Sequence, residues 1–115
     1  MLLDILNEKK LKSTFFVTGI QIRDHSDILK TEYQAGHEIA SHTWSHRALT
    51  SLTNLEIIAE LEYTSLAIEI VTGHRPRFFR PPFGDIDNRV RAIAKAMGLL
   101  PILWNFDTGN KFQLH

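Results

Sequence analysis

Four short apolar runs, separated by longer stretches of helical periodicity, most constrain what this chain can fold into. The runs are Thr14 to Thr18, closed by Gly19; Glu38 to Ser41; Phe78 to Arg80, stopped by Pro81 and Pro82; and Leu99 to Trp104. Each is too short for a stable helix and holds residues that fit a pleated, buried surface. Pro101 is tolerable only near the start of the last run or on a sheet edge. Ahead of the first run, Leu2, Leu3, Ile5, Leu6 and Leu11 repeat at helical spacing, with Lys9, Lys10 and Lys12 towards the end, where cations suit the dipole. Ile28, Leu29 and Tyr33, ending at Gly36, predict a second helix. Asp87 to Met97, ended by Gly98, predicts another with Val90, Ile93, Ala94 and Met97 inward. An αβαβαβαβ order argues for a parallel sheet with right-handed crossovers, either an open α/β sheet or part of a barrel.

The clearest helix lies between the second and third runs. Thr53-Asn-Leu-Glu56 is a capping-box pattern, Leu52 is placed to staple onto Ile57, and Gly73 closes the far end. At 100° per residue, Ile57, Leu61, Ile68 and Val71 share one face. Leu55, Tyr63, Leu66 and Ile70 form a second, with Glu62 and Glu69 between them. One apolar face suffices for packing on a sheet; the second calls for a neighbouring helix or a partner.

Parallel α/β folds assemble their sites along the rim where the strands end. Here the strand ends deliver Thr18, His42 with His46, Arg80, and Asn105 with Asp107 to that rim. Histidines at i, i+4 fall on one side of a helical turn, so two neutral nitrogens reach one cation. Zinc accepts such a pair, usually with a carboxylate as third ligand and an open position for water. The chain has six histidines, so the spacing alone is a common coincidence and the rim placement carries the argument. Two histidines, a guanidinium and a carboxylate converging there point to metal-assisted hydrolysis. His37 begins its strand away from the rim and reads as a surface histidine, while His25 and His74 fall in loops. Trp44, between the histidines, is placed to stack on a sugar ring, whereas Trp104 ends an apolar strand and reads as core.

Composition narrows the classes. The chain's 115 residues suit one small domain spanning 1–115, and thirteen basic against thirteen acidic residues favour neither nucleic acid nor an anionic membrane surface. The absence of cysteine excludes disulfides and thiolate-bound metals. The first ten residues lack the basic and apolar regions of a signal peptide, and no run has the apolar length of a membrane span. Localisation is therefore not legible from the chain itself.

His42-Thr-Trp-Ser-His46, Arg80-Pro-Pro-Phe-Gly84 and Leu103-Trp-Asn-Phe-Asp-Thr108, in that order, resemble the polysaccharide deacetylase family, the NodB-homology domain of carbohydrate esterase family four. The wording is closest to fungal chitin deacetylases, and Thr14-Phe-Phe-Val-Thr-Gly19 matches the family's second strand. The resemblance implies a distorted (β/α) barrel with fewer than eight strands, about four of them parallel here and the first missing. It implies hydrolysis of N-acetyl groups from an N-acetylglucosamine polymer such as chitin, with zinc or cobalt as the divalent ion. His42 and His46 match the family's metal ligands, Arg80 matches the arginine that orients the catalytic base, and the Phe83 N–H matches an oxyanion donor. Trp44, Pro82 and Asp107 are the candidate substrate-binding residues. A secreted or cell-wall location follows by the same resemblance.

The same resemblance implies departures. The family's aspartate pair, base and third metal ligand, is expected ahead of Met1, and its general-acid histidine beyond His115. Asn110-Lys111 stands where an Asp-Trp pair is expected. With two histidines alone, zinc binding is expected to be weak, and Asp107 and Asp85 are the nearby carboxylates available as substitute ligands. Two alternatives to an enzyme stay open: a carbohydrate-binding homologue without turnover, and a module that completes its exposed sheet edge by pairing with another copy.

Overall fold

A computed structural model of the protein describes residues 14–103; the helix expected at the start of the chain, and Trp104, Asn105, Asp107 and His115, lie outside them. The described elements are β1 (Thr14–Val17), α1 (Gly19–Asp24), α2 (Ser26–Gln34), β2 (Glu38–Ser41), a 3-10 turn (Leu49–Ser51), α3 (Asn54–Thr72), β3 (Phe78–Phe79), a second 3-10 turn (Pro82–Gly84), α4 (Asn88–Ala96) and β4 (Leu100–Pro101). The four strands form one parallel sheet in the order β1-β2-β3-β4, so the expected α/β architecture stands and the sheet is not closed. β1 and β2 run in register from Thr14↔Glu38 to Val17↔Ser41. The ladder then thins to Ser41↔Phe79, and to Phe78↔Leu100 and Phe79↔Pro101. Among the described residues β4 is an edge strand, where the missing N–H of Pro101 does least harm.

The long helix forms as its sequence predicts. Thr53 accepts from the Glu56 N–H while the Glu56 side chain accepts from the Thr53 N–H, and Gly73 closes the helix at φ 85°, a left-handed conformation that glycine adopts without a Cβ clash. Its inner face divides between two apolar clusters. Ile57 and Leu61 join Leu49, Leu52, Phe79, Val90, Ala94 and Leu99, whereas Ile68 joins Phe15, Ile22, Leu29 and Ile39. Leu55, Tyr63, Leu66 and Ile70 remain exposed.

Three expectations are corrected. α1 was not anticipated; its signal is Thr18-Gly-Ile-Gln21, a second capping box, with Thr18 accepting from the Gln21 N–H and the Gln21 side chain accepting from the Thr18 N–H. The last strand is shorter than Leu99 to Trp104 and is described as Leu100–Pro101. His37 is not a surface residue: it is 2% exposed and its ring stands edge-on to Phe15 at 5.1 Å. The C-terminal ends of α2 and α3 close over the base of the sheet there, where Tyr33, Ile68 and Thr72 line a cavity together with His37.

Candidate metal and catalytic site

β2 ends at Ser41, and His42 follows at the rim with its backbone N–H donating to the Val17 carbonyl at 2.8 Å. The His42 and His46 rings meet edge to face, 4.5 Å between centroids. They do not do so on a helical turn, as the spacing suggested. Residues 42–48 form a loop, with Thr43 at φ 67° and His46 at φ 62°. Two left-handed residues fold the chain back far more sharply than a helix would. For a β-branched threonine that conformation is costly and persists only when its surroundings over-determine it.

Those surroundings are specific. The Gly19 and Ile20 N–H groups, at the start of α1, donate to the Thr43 and Trp44 carbonyls at 3.0 and 3.2 Å. Thr43 donates its N–H to Ser41 Oγ, and its own Oγ1 accepts from the His46 N–H, both at 3.2 Å. On the α3 side the Glu60 carboxylate accepts from the Trp44 and Ser45 N–H groups and from the Ser45 hydroxyl. Sequence reasoning passed over Thr43 and Glu60. The available signal was Glu60 itself, an acid lying on the buried arc of α3 beside Ile57 and Thr64.

His42 Nδ1 lies 2.7 Å from the Arg80 carbonyl oxygen. A carbonyl only accepts, so in the neutral ring Nδ1 carries the proton and the coordinating lone pair sits on Nε2. Metal-bound histidines are held in this way, by a second-shell acceptor on the other ring nitrogen. This donor chemistry fits a divalent ion, with His42 and His46 as its candidate ligands. Among the described residues no group of three His, Cys, Asp or Glu side chains is placed to hold a metal. Asp85 does not join the pair; it accepts from the Thr50 hydroxyl.

Arg80 is buried, its guanidinium 4.4 Å above the centre of the Phe16 ring and its Nε 3.5 Å from the Ile102 carbonyl. Loss of water around the cation lowers its pKa from the ordinary arginine value. Its backbone joins β2 through N–H donation to the Ser41 carbonyl. Phe83 follows in the turn at φ 62°, is 76% exposed and sets its ring 5.0 Å from His46. The turn's own hydrogen bonds run from the Gly84 and Asp85 N–H groups to the Pro81 and Pro82 carbonyls, and do not engage the Phe83 N–H. Pro82 is buried beneath it.

The structure therefore brings together His42, His46, Arg80, Phe83 and Pro82. Trp44 takes a different set of neighbours: it is half-buried, its ring stands 6.5 Å from Tyr63, and it leaves no room for a Cβ on Gly19. Asp107 lies outside the described residues. No described helix is long and apolar enough to cross a membrane.

Comparison with known proteins bears on the family and the fold. Chitin deacetylase 1 of Cryptococcus neoformans var. grubii is 51% identical over 96% of this chain, which spans 26% of that protein's length. A structure of a peptidoglycan N-acetylglucosamine deacetylase superposes with a TM-score of 0.87 at 28% identity, covering 90% of this chain and 48% of that one. A carbohydrate esterase family four pseudoenzyme from Bacillus anthracis superposes at 0.86 with 30% identity, covering 96% of this chain and 39% of that one. The family profile described as polysaccharide deacetylase matches residues 1–102. The chain belongs to the polysaccharide deacetylase family.

Proposed function

We propose that this chain carries the metal-ligand and oxyanion side of a hydrolase that removes N-acetyl groups from an N-acetylglucosamine polymer, chitin in the first place. The observation that carries the reading is the His42–His46 pair at the strand rim, with the tautomer of His42 fixed by the Arg80 carbonyl. His42 and His46 hold a divalent cation, zinc or cobalt. Such an ion, when bound, supplies Lewis acidity towards the amide carbonyl and towards water. Arg80 presents a desolvated guanidinium that orients a carboxylate base contributed from elsewhere in the protein. Phe83 offers its N–H to the oxygen on which negative charge develops, and a backbone donor serves equally well under phenylalanine or tyrosine. Trp44, Pro82 and Asp107 are the side chains proposed to face the sugar. A wall polymer as substrate places the protein outside the cell or in its wall.

A second reading is supported by the likeness to a pseudoenzyme. In it the chain binds glycan, or completes its β1 edge with another copy, without turnover. Calorimetric zinc titration of the chain and of His42→Ala separates the two. Micromolar or tighter binding that the substitution abolishes supports the first reading, and acetate release from chitooligosaccharides is then assayed. Identical isotherms, together with chitooligosaccharide binding and no acetate, overturn the first reading in favour of the second.

A further inference from the structure

Glu60 stands six residues into α3, and its side chain is only 7% exposed. An ionised carboxylate so placed persists only with several donors around it. They come from residues 44–47, two of them between the histidines and Arg47 just after the second. Oε1 accepts from the Trp44 N–H at 3.1 Å and the Ser45 N–H at 2.9 Å; Oε2 accepts from the Ser45 hydroxyl at 2.8 Å and faces the Arg47 guanidinium at 3.6 Å. The loop makes no regular secondary structure, and its residues on either side of this contact, Thr43 and His46, are both left-handed. The helix, in turn, is fixed along its axis by the capping box at Thr53 and by Ile57 and Leu61 in the core.

We propose that Glu60 is the positioning residue that holds the loop in its strained form and so sets the His42 and His46 rings against each other. The carboxylate acts as a template: it gathers successive N–H groups in a conformation that a free chain would abandon. It touches neither the substrate nor a bound ion; it acts through the two histidines. The inference rests on reading these as metal ligands only for its consequence for metal affinity; the ring contact is read independently of it.

The test uses the full chain and its Glu60→Ala and Glu60→Gln variants. Three quantities are measured: amide exchange at Trp44 and Ser45, the nuclear Overhauser contact between the His42 and His46 rings in metal-free protein, and zinc affinity by calorimetry. In Glu60→Ala the two amides are expected to lose protection, the ring contact to vanish, and zinc affinity to fall about ten- to a hundredfold, as for other groups that orient ligands. Glu60→Gln keeps an acceptor for both N–H groups and is expected to recover the ring contact and most of the affinity. An intact ring contact in a folded Glu60→Ala overturns the proposal. If the parent chain binds no zinc, the metal reading fails, while the ring contact still decides the role of Glu60. If Glu60→Ala does not fold, Ser45→Ala removes the hydroxyl donor to Oε2 and leaves Arg47 and both N–H groups; it is expected to weaken the ring contact, and no change there overturns the proposal.

Discussion

Glu32 gives the prediction with the most explicit arithmetic. It lies on α2, is 7% exposed, and lines a groove of about 140 Å³ with Phe15, Phe16 and Val17 of β1, Ile22, Ile28 and Leu29, and with Gln21 and His25 at its polar side. Burial among these apolar walls disfavours the carboxylate and pushes its pKa from the ordinary 4.5 up to about 7. A folded-state pKa raised above the unfolded one means that the fold prefers the protonated acid. This contribution is fully present below pH 4.5, is lost as pH rises towards 7, and stays lost above that. The gap between 4.5 and about 7 corresponds to roughly 3 kcal/mol at ~1.4 kcal/mol per pH unit. Because the groove is open to water, about 2 kcal/mol is the working figure, or on the order of 8 °C in melting temperature for a chain this size. Glu32→Gln removes the titration and keeps the shape. Urea unfolding of both proteins from pH 4 to 8.5 is expected to show them nearly matched at pH 4 and the variant ahead by that amount at pH 8. Subtraction cancels the histidines and the other acids. A difference that stays constant across the range refutes the reasoning, because the acid would then feel no burial in the fold.

Three further outcomes follow from the loop and its neighbours. Gly19→Ala drives a Cβ to 1.8 Å from the Trp44 ring, which is held by its own backbone bonds; a loss of about 1–3 kcal/mol is expected in chemical denaturation, with quenched or shifted Trp44 emission. Thr43→Val keeps the shape but leaves the His46 N–H without its acceptor, an expected cost of about 1–3 kcal/mol, and Thr43→Ser is expected to recover most of it. Thr53→Ala removes the cap of α3 and is expected to cost about 1 kcal/mol of thermal stability, while zinc binding is unchanged.

What the sequence disclosed and what it withheld differ in range. The capping box at Thr53, the left-handed stop at Gly73 and the alternation of strand and helix are local patterns, and each appears where the residues place it. The rim position of His42 followed from strand order, which is also nearly local in a parallel sheet. The conformation of residues 42–48 was not legible, because a threonine at φ 67° is disfavoured by its own chemistry. It exists through donors and acceptors on α1 and α3, the latter about fifteen residues downstream. His37 reads as exposed from its place before a strand and is buried by helix ends that no periodicity in its neighbourhood reveals. The neighbours of the half-buried Trp44 ring, Gly19 and Tyr63, were not legible either, because helix docking sets those contacts.

The thinning of the sheet has a kinetic consequence. β1, β2, α1 and α2 share one apolar cluster, β3 and α4 share the other, and α3 contributes to both; along the sheet the ladder between them narrows to the Ser41↔Phe79 pair. His42 bridges that seam, its backbone N–H bonded to Val17 on one side and its ring to Arg80 on the other. With one ladder pair between the two clusters, amides of β3 are expected to exchange earlier than those of β2.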